Sequence, residues 1–226
     1  MIMDKGPRGL LRLMQTAGFA LLLLVCGPQV TAQATTPQAT LVVLGDSISA
    51  AYGMDLEQGW VSLLEQKLHE RGHTWAVVNA SISGDTSGGG LQRLPSLLQR
   101  HNPAIVVLEL GGNDGLRGYP IDKLRSNLTV MTKLSQDAGA AVLLLGMEIP
   151  PNFGRRYTGL FRESYPTVAE ATGAAVSGFI LEGIATVPGQ MQGDGIHPTV
   201  VAQARLLANV WEHLEPMVIA QEAQSD

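Results

Sequence analysis

Cysteine is almost missing from this chain: Cys26 is the only one in 226 residues. That excludes a disulfide framework. No metal centre is expected among the five histidines, since His69 is placed on a helix that Gly72 ends and His73 in the turn after it. Charge is also scarce. Asp, Glu, Lys and Arg make up 15% of the residues, and the formal net charge is −5. The basic patch that nucleic-acid binding requires is absent. Leu13–Cys26 is almost wholly apolar but falls short of the about 20 residues of a bilayer span. Neither G-x-x-x-x-G-K-[ST] nor G-x-G-x-x-G occurs, so the glycine-rich stretch Ser83–Gly90 is not read as a phosphate cradle. There is no internal repeat.

What the chain does contain begins with a leader. Lys5, Arg8 and Arg12 precede the apolar stretch centred on Leu21–Val25, and Ala32-Gln33-Ala34 follows it. A basic segment, a short apolar segment and small residues at the cut make a secretory signal peptide. Cleavage is expected after Ala34, leaving residues 35–226 as a single domain. Leu23-Leu24-Val25-Cys26 resembles a lipoprotein processing site, but the residue before such a cysteine is normally small, and Val25 is not. Soluble export is therefore expected rather than a lipid anchor. The mature chain then has no thiol chemistry.

Strand-like and helix-like segments alternate beyond the leader. Strands are expected at Thr40–Leu44, Trp75–Ala80, Ala104–Leu110, Ala140–Met147 and Ala174–Phe179. Helices are expected at Gly59–Arg71, Leu91–Gln99, Ile121–Ala138, Phe161–Thr172 and Thr199–Leu214. Loops are expected at Ser81–Gly90, Gly111–Pro120, Glu148–Arg156 and Gln190–Pro198, with fraying from Gln221. This order predicts an α/β fold whose parallel sheet is covered on both faces. Ligands bind such sheets outside the carboxyl ends of the strands. The loops after strands one, two, three and five carry Ser47, Gly84, Asn113 and the pair Asp194 and His197.

Those residues are a set with a chemical logic. A serine hydroxyl is a poor nucleophile until a base takes its proton, and the base needs an orienting partner. His69, His73, His101 and His213 sit where solvated or capping histidines are common. His197 differs: in G-D-G-I-H-P, Asp194 stands three residues before it. In a tight loop that spacing can hold a carboxylate on one imidazole nitrogen while the other faces the crevice. Acyl transfer also needs donors for the oxyanion. The Gly84 N–H has no Cβ beside it, the Asn113 amide has two N–H donors, and the Ser47 N–H is a third. Taken singly, each stretch reads equally well as a turn rich in Gly, Asn or Ser.

The blocks G-D-S-I at Ser47, S-I-S-G-D-T-S at Gly84, G-G-N-D at Asn113 and D-G-I-H-P at His197 resemble, in that order, those of the SGNH hydrolases, also called GDSL esterases. Ile48 stands where the family usually has Leu. The longer runs V-V-N-A-S-I-S-G-D-T-S, L-E-L-G-G-N-D-G-L-R-G and N-F-G-R-R-Y resemble its subgroup of periplasmic multifunctional acyl-CoA thioesterases, also described as proteases and lysophospholipases. The resemblance implies a three-layer, flavodoxin-like α/β/α sandwich with about five strands. It implies Ser47 as nucleophile, His197 as base, Asp194 as its orienter, and Ser47, Gly84 and Asn113 as the oxyanion hole. Asp46, Asp85 and Asp114 are then local hydrogen-bonding residues. No cofactor is implied. Substrates are expected among acyl-CoA, aryl esters and lysophospholipids, for a monomer in the periplasm or medium without a membrane span. The loops Gly115–Pro120 and Ile149–Tyr157 would border the acyl site, with Leu116, Ile149 and Phe153 offering apolar surface there. A carbohydrate deacetylase on the same scaffold and a non-catalytic acyl-chain carrier are the alternatives.

Overall fold

The computed structural model describes residues 39–225; the expected leader and cleavage site lie outside them. The described chain builds one five-stranded parallel sheet in the order β2-β1-β3-β4-β5. The strands are β1 (Ala39–Gly45), β2 (Trp75–Asn79), β3 (Ile105–Glu109), β4 (Ala141–Gly146) and β5 (Ala175–Phe179). Leu41–Leu44 and Ile105–Leu108 are entirely buried, as expected of central parallel strands covered on both faces. Burying each such side chain contributes about 1.5–3 kcal/mol.

Helices close both faces. α1 (Trp60–Glu70) and α7 (Gln203–Ser225) pack together on one face. α2 (Ser87–His101), α4 (Ile121–Asp137) and α6 (Ser164–Thr172) cover the other. α1 buries Trp60, Val61, Leu64 and Leu68, a stripe along one side. α4 does the same with Leu124, Leu128 and Met131. The three-layer α/β/α sandwich is therefore as the sequence suggested. No helix among the described residues is long and apolar enough to cross a membrane.

Several boundaries depart from expectation. α2 begins at Ser87, inside the stretch expected to be a loop. Thr86 caps it by accepting a hydrogen bond from Gly89 N (3.2 Å). Gly90 lies against Leu110, where a Cβ would collide with the leucine side chain. The glycines are poor helix formers but permit this close approach. A short helix, α3 (Gly112–Leu116), occupies part of the expected loop after β3. The expected helix Phe161–Thr172 is two: α5 (Arg155–Arg162) and then α6. The last helix does not fray at Gln221 but runs through Pro216 to Ser225. Its end is pinned, because Glu222 accepts from Trp75 Nε1 (2.8 Å) and lies 3.0 Å from His73 Nδ1.

The topology fixes where a site can form. From β1 the chain moves outward to β2; from β3 it moves the opposite way, to β4. A crevice opens at this switch point, outside the carboxyl ends of β1 and β3.

Candidate active site

Ser47 leaves the end of β1 at that switch point, and Asn113 lies in α3, directly after β3. The loop between β5 and α7 swings back over the crevice and carries Asp194 and His197. An isolated bridge between Met191 and Pro198 pinches this loop at its base. Within it, Asp194 Oδ1 accepts from Ile196 N (2.9 Å) and His197 N (3.1 Å). Its other oxygen, Oδ2, lies 2.7 Å from His197 Nδ1. These bonds, the imidazole's first, hold the Asp194 carboxyl down to about 2, so it is an acceptor at neutral pH. Nδ1 must then carry the proton, which leaves Nε2 as the acceptor facing Ser47 Oγ at 2.8 Å. Serine, imidazole and carboxylate thus form one continuous hydrogen-bonded line.

The three donors sit around the same opening, since Ser47, Gly84 and Asn113 all line one cavity. Gly84 has φ 82°, a conformation that disfavours any residue with a Cβ. Asn113 Nδ2 donates to Asp46 Oδ2 at 3.1 Å, which spends one amide N–H and leaves the second. At Gly111 (φ 125°), a Cβ would strike the Tyr165 hydroxyl, so glycine alone lets the turn before Asn113 close.

Comparisons with known proteins show the family. Residues 43–205 match the model of the GDSL-like Lipase/Acylhydrolase family. The chain belongs to this family. It is 52% identical to the esterase TesA of Pseudomonas aeruginosa over 88% of the chain and 99% of that protein. It is 42% identical to thioesterase 1/protease 1/lysophospholipase L1 of Escherichia coli, over 79% of the chain and 85% of that protein. Among solved structures, the psychrotrophic esterase EstA from Pseudoalteromonas, inhibited by monoethylphosphonate, superposes with a TM-score of 0.76. It is 42% identical and covers 79% of this chain and 97% of its own.

In this GDSL-family chain the cavity beside Ser47 has a volume of about 680 Å³, well within the range of small-molecule sites. Leu116 and Ile149 line it. Phe153 does not: it packs against the core and beside Tyr157, ring centroids 6.4 Å apart. The cavity also takes Met147 from the end of β4, Phe179 and Leu181 from the end of β5, and Met191 from the histidine loop. Sequence reading missed these four, although the position of the first three at strand ends was a usable signal.

The aspartates are spent within the fold. Asp85 pairs with Arg93 (2.6 Å) and caps Thr86 N (2.9 Å). Asp114 accepts from Ser87 N (2.8 Å) and Ser87 Oγ (2.6 Å), tying α3 to the start of α2. Asp46 Oδ1 accepts from Ile48 N at 3.1 Å. Burial pushes the Asp46 carboxyl up to about 6 against the pull of these hydrogen bonds. Glu109, unnoticed in the sequence, is wholly buried beneath the serine turn. Its Oε2 accepts from Asp46 N (3.1 Å) and Ser49 Oγ (2.7 Å). Burial first, and the Asp46 charge second, push its carboxyl well above the usual range.

Proposed function

We propose that the chain hydrolyses carboxylic esters and thioesters through an acyl intermediate on Ser47. The observation that carries this reading is the line Asp194–His197–Ser47, with contacts of 2.7 and 2.8 Å, at the mouth of a largely apolar cavity. Ser47 Oγ attacks the acyl carbon as its proton passes to His197 Nε2. The Asp194 carboxylate stabilises the imidazolium that results. The carbonyl oxygen, now negative, takes hydrogen bonds from the Ser47 and Gly84 N–H groups and from the Asn113 amide. Collapse expels the alcohol or thiol, which leaves with the proton from Nε2. Water then attacks the acyl carbon, His197 again takes a proton, and the acid departs as Ser47 recovers its own. The reading calls for no cofactor.

The substrates this reading favours are acyl-CoA, aryl esters and lysophospholipids. The cavity's size and its Leu116, Ile149, Met147 and Phe179 surfaces suit a medium or long acyl chain. A carbohydrate deacetylase would need a small acyl pocket and a polar cleft, which fits this lining poorly. A carrier without catalysis would have no use for the aligned serine and imidazole. The same reading takes residues 1–34 as a cleaved export leader and places the remaining single domain in the periplasm or medium as a monomer.

The deciding experiment is labelling with a fluorophosphonate, with the adduct mapped by mass spectrometry. One stoichiometric adduct is expected on Ser47, absent in S47A, together with loss of ester turnover in S47A and H197A. Wild-type turnover by S47A would overturn the reading.

A further inference from the structure

Tyr52 is half exposed at 48%, yet its ring is not loose. It lies against the His197 imidazole, with ring centroids 4.2 Å apart and planes inclined by 30°. The backbone is bent to deliver it there. Ala51, just before it and buried, has φ 56°; Gly53, just after it, has φ 76°. A left-handed alanine carries a steric cost, and such a conformation persists only where its surroundings over-determine it.

Those surroundings are visible. Tyr52 N donates to Ser47 O at 3.1 Å, which closes the turn on the serine. Tyr52 O accepts from Gln192 Nε2 at 2.8 Å, and the same nitrogen donates to Pro198 O at 3.0 Å. Gln192 N donates to His197 O at 2.8 Å. Gln192 therefore clasps the tyrosine turn to the backbone of His197 and Pro198. A Cβ at Gly53 would run into the Gln192 amide. The serine turn and the histidine loop are thus joined twice, once through Ser47 and His197 and once through Tyr52 and Gln192.

We propose that Tyr52 is a positioning residue for the reaction, its ring holding the His197 imidazole in line between Asp194 and Ser47. The inference rests on the reading of His197 as the base. The ring covers one face of an imidazole whose side chain is only 14% exposed, and so limits its rotation. It also presents a π face to the imidazolium that forms when Ser47 loses its proton. Both effects act on the transition state more than on bound substrate. They belong to kcat rather than KM. Tyr52 also lines the cavity, so a role as a simple acyl-pocket wall is the competing account.

The test compares Y52F and Y52L with wild type on acetyl and octanoyl p-nitrophenyl esters, measuring kcat and KM separately. Y52L should lose roughly 3- to 30-fold in kcat, equally on both esters, with KM little changed. Its rate of labelling by a fluorophosphonate should fall in parallel, since labelling needs the same base. Y52F keeps the ring and should keep kcat. An unchanged kcat in Y52L with KM raised for the octanoyl ester alone would make Tyr52 a pocket wall and overturn the proposal. Equal losses in Y52F and Y52L would overturn it as well, by assigning the effect to the hydroxyl. Full activity in H197A would instead remove the underlying reading, whatever Tyr52 does.

Discussion

Asp46 holds the Asn113 amide by one hydrogen bond, Asn113 Nδ2 to Asp46 Oδ2, at 3.1 Å. An ionised carboxylate has no donor, so it can be satisfied only by the nitrogen side of the amide. The contact therefore decides which way the amide faces. One N–H is engaged, and the other stays with the cavity that Ser47 and Gly84 also line. The aspartate of the G-D-S-I block thus acts across 67 residues of sequence on the asparagine of the G-G-N-D block.

The amide donor can be deleted, unlike a backbone N–H. Asn113→Ala should lose roughly 100- to 1,000-fold in kcat. KM should stay within a few-fold, because the donor serves the tetrahedral oxyanion more than the ground-state carbonyl. Asn113→Asp should be as bad or worse, since it sets a second carboxylate against Asp46 and offers no donor. Steady-state kinetics on an aryl ester read both. Full kcat in Asn113→Ala would make Asn113 a turn residue only.

A second expectation follows from the burial that pushes Asp46 from 3.8 to about 6. The folded state holds this proton more tightly than the unfolded chain does. The fold therefore loses stability from this group as pH rises from about 4 to about 6, and regains it below that window. Activity moves the other way. Protonation below about pH 6 gives Asp46 a donor and weakens its hold on the amide. Asp46→Asn cannot satisfy both Ile48 N and Asn113 Nδ2, because it has one acceptor oxygen. It should lose kcat at every pH, while its Tm relative to wild type improves from pH 4 to pH 7. Thermal unfolding across that range checks the sign; a Tm difference that is flat with pH would contradict the burial argument.

The parts of this molecule that were legible in the sequence are those where one residue type carries one message. Runs such as Leu41–Leu44 end abruptly at Gly45 and Asp46, so β1 and the serine after it could be read directly. His197 stood out because Asp194 is close by in the chain. Other features depend on proximity in space. The start of α2 is hidden because Gly88–Gly90 look like a loop, and only the closeness of Gly89 to Asp85 and of Gly90 to Leu110 explains two of them. The end of α7 is held by Trp75 and His73, which are 147 and 149 residues away. Phe153 was placed by its neighbourhood in the chain, whereas side-chain direction turned it toward the core. Nothing around Tyr52 in the sequence marks the contact that the fold gives it with His197. Glu109 falls inside the expected strand Ala104–Leu110, and only the fold sets it beneath the serine turn.

Glu109 yields the last prediction. It is wholly buried, and no cation lies among its hydrogen-bond partners. Burial and the Asp46 charge push its carboxyl well above the usual range, which favours the neutral acid. Its Oε2 is the acceptor for Asp46 N and Ser49 Oγ, and Ser49 Oγ in turn accepts from Trp60 Nε1 at 3.2 Å. Its Oε1 has no hydrogen-bond partner among the described residues, so a proton on that oxygen leaves both bonds to Oε2 intact. A glutamine reproduces this arrangement: one acceptor oxygen, no charge and nearly the same shape. Glu109→Gln should therefore fold, keep kcat within a few-fold and lose less stability than wild type as pH rises. Glu109→Leu also removes the charge, but it strands a buried N–H and a buried hydroxyl, at about 1–3 kcal/mol each. It should unfold at lower temperature and lose kcat as the serine turn loosens. Thermal unfolding and ester turnover of the two variants separate an uncharged acceptor from a needed carboxylate. If Glu109→Gln were as damaging as Glu109→Leu, the ionised form would be the one that the turn requires.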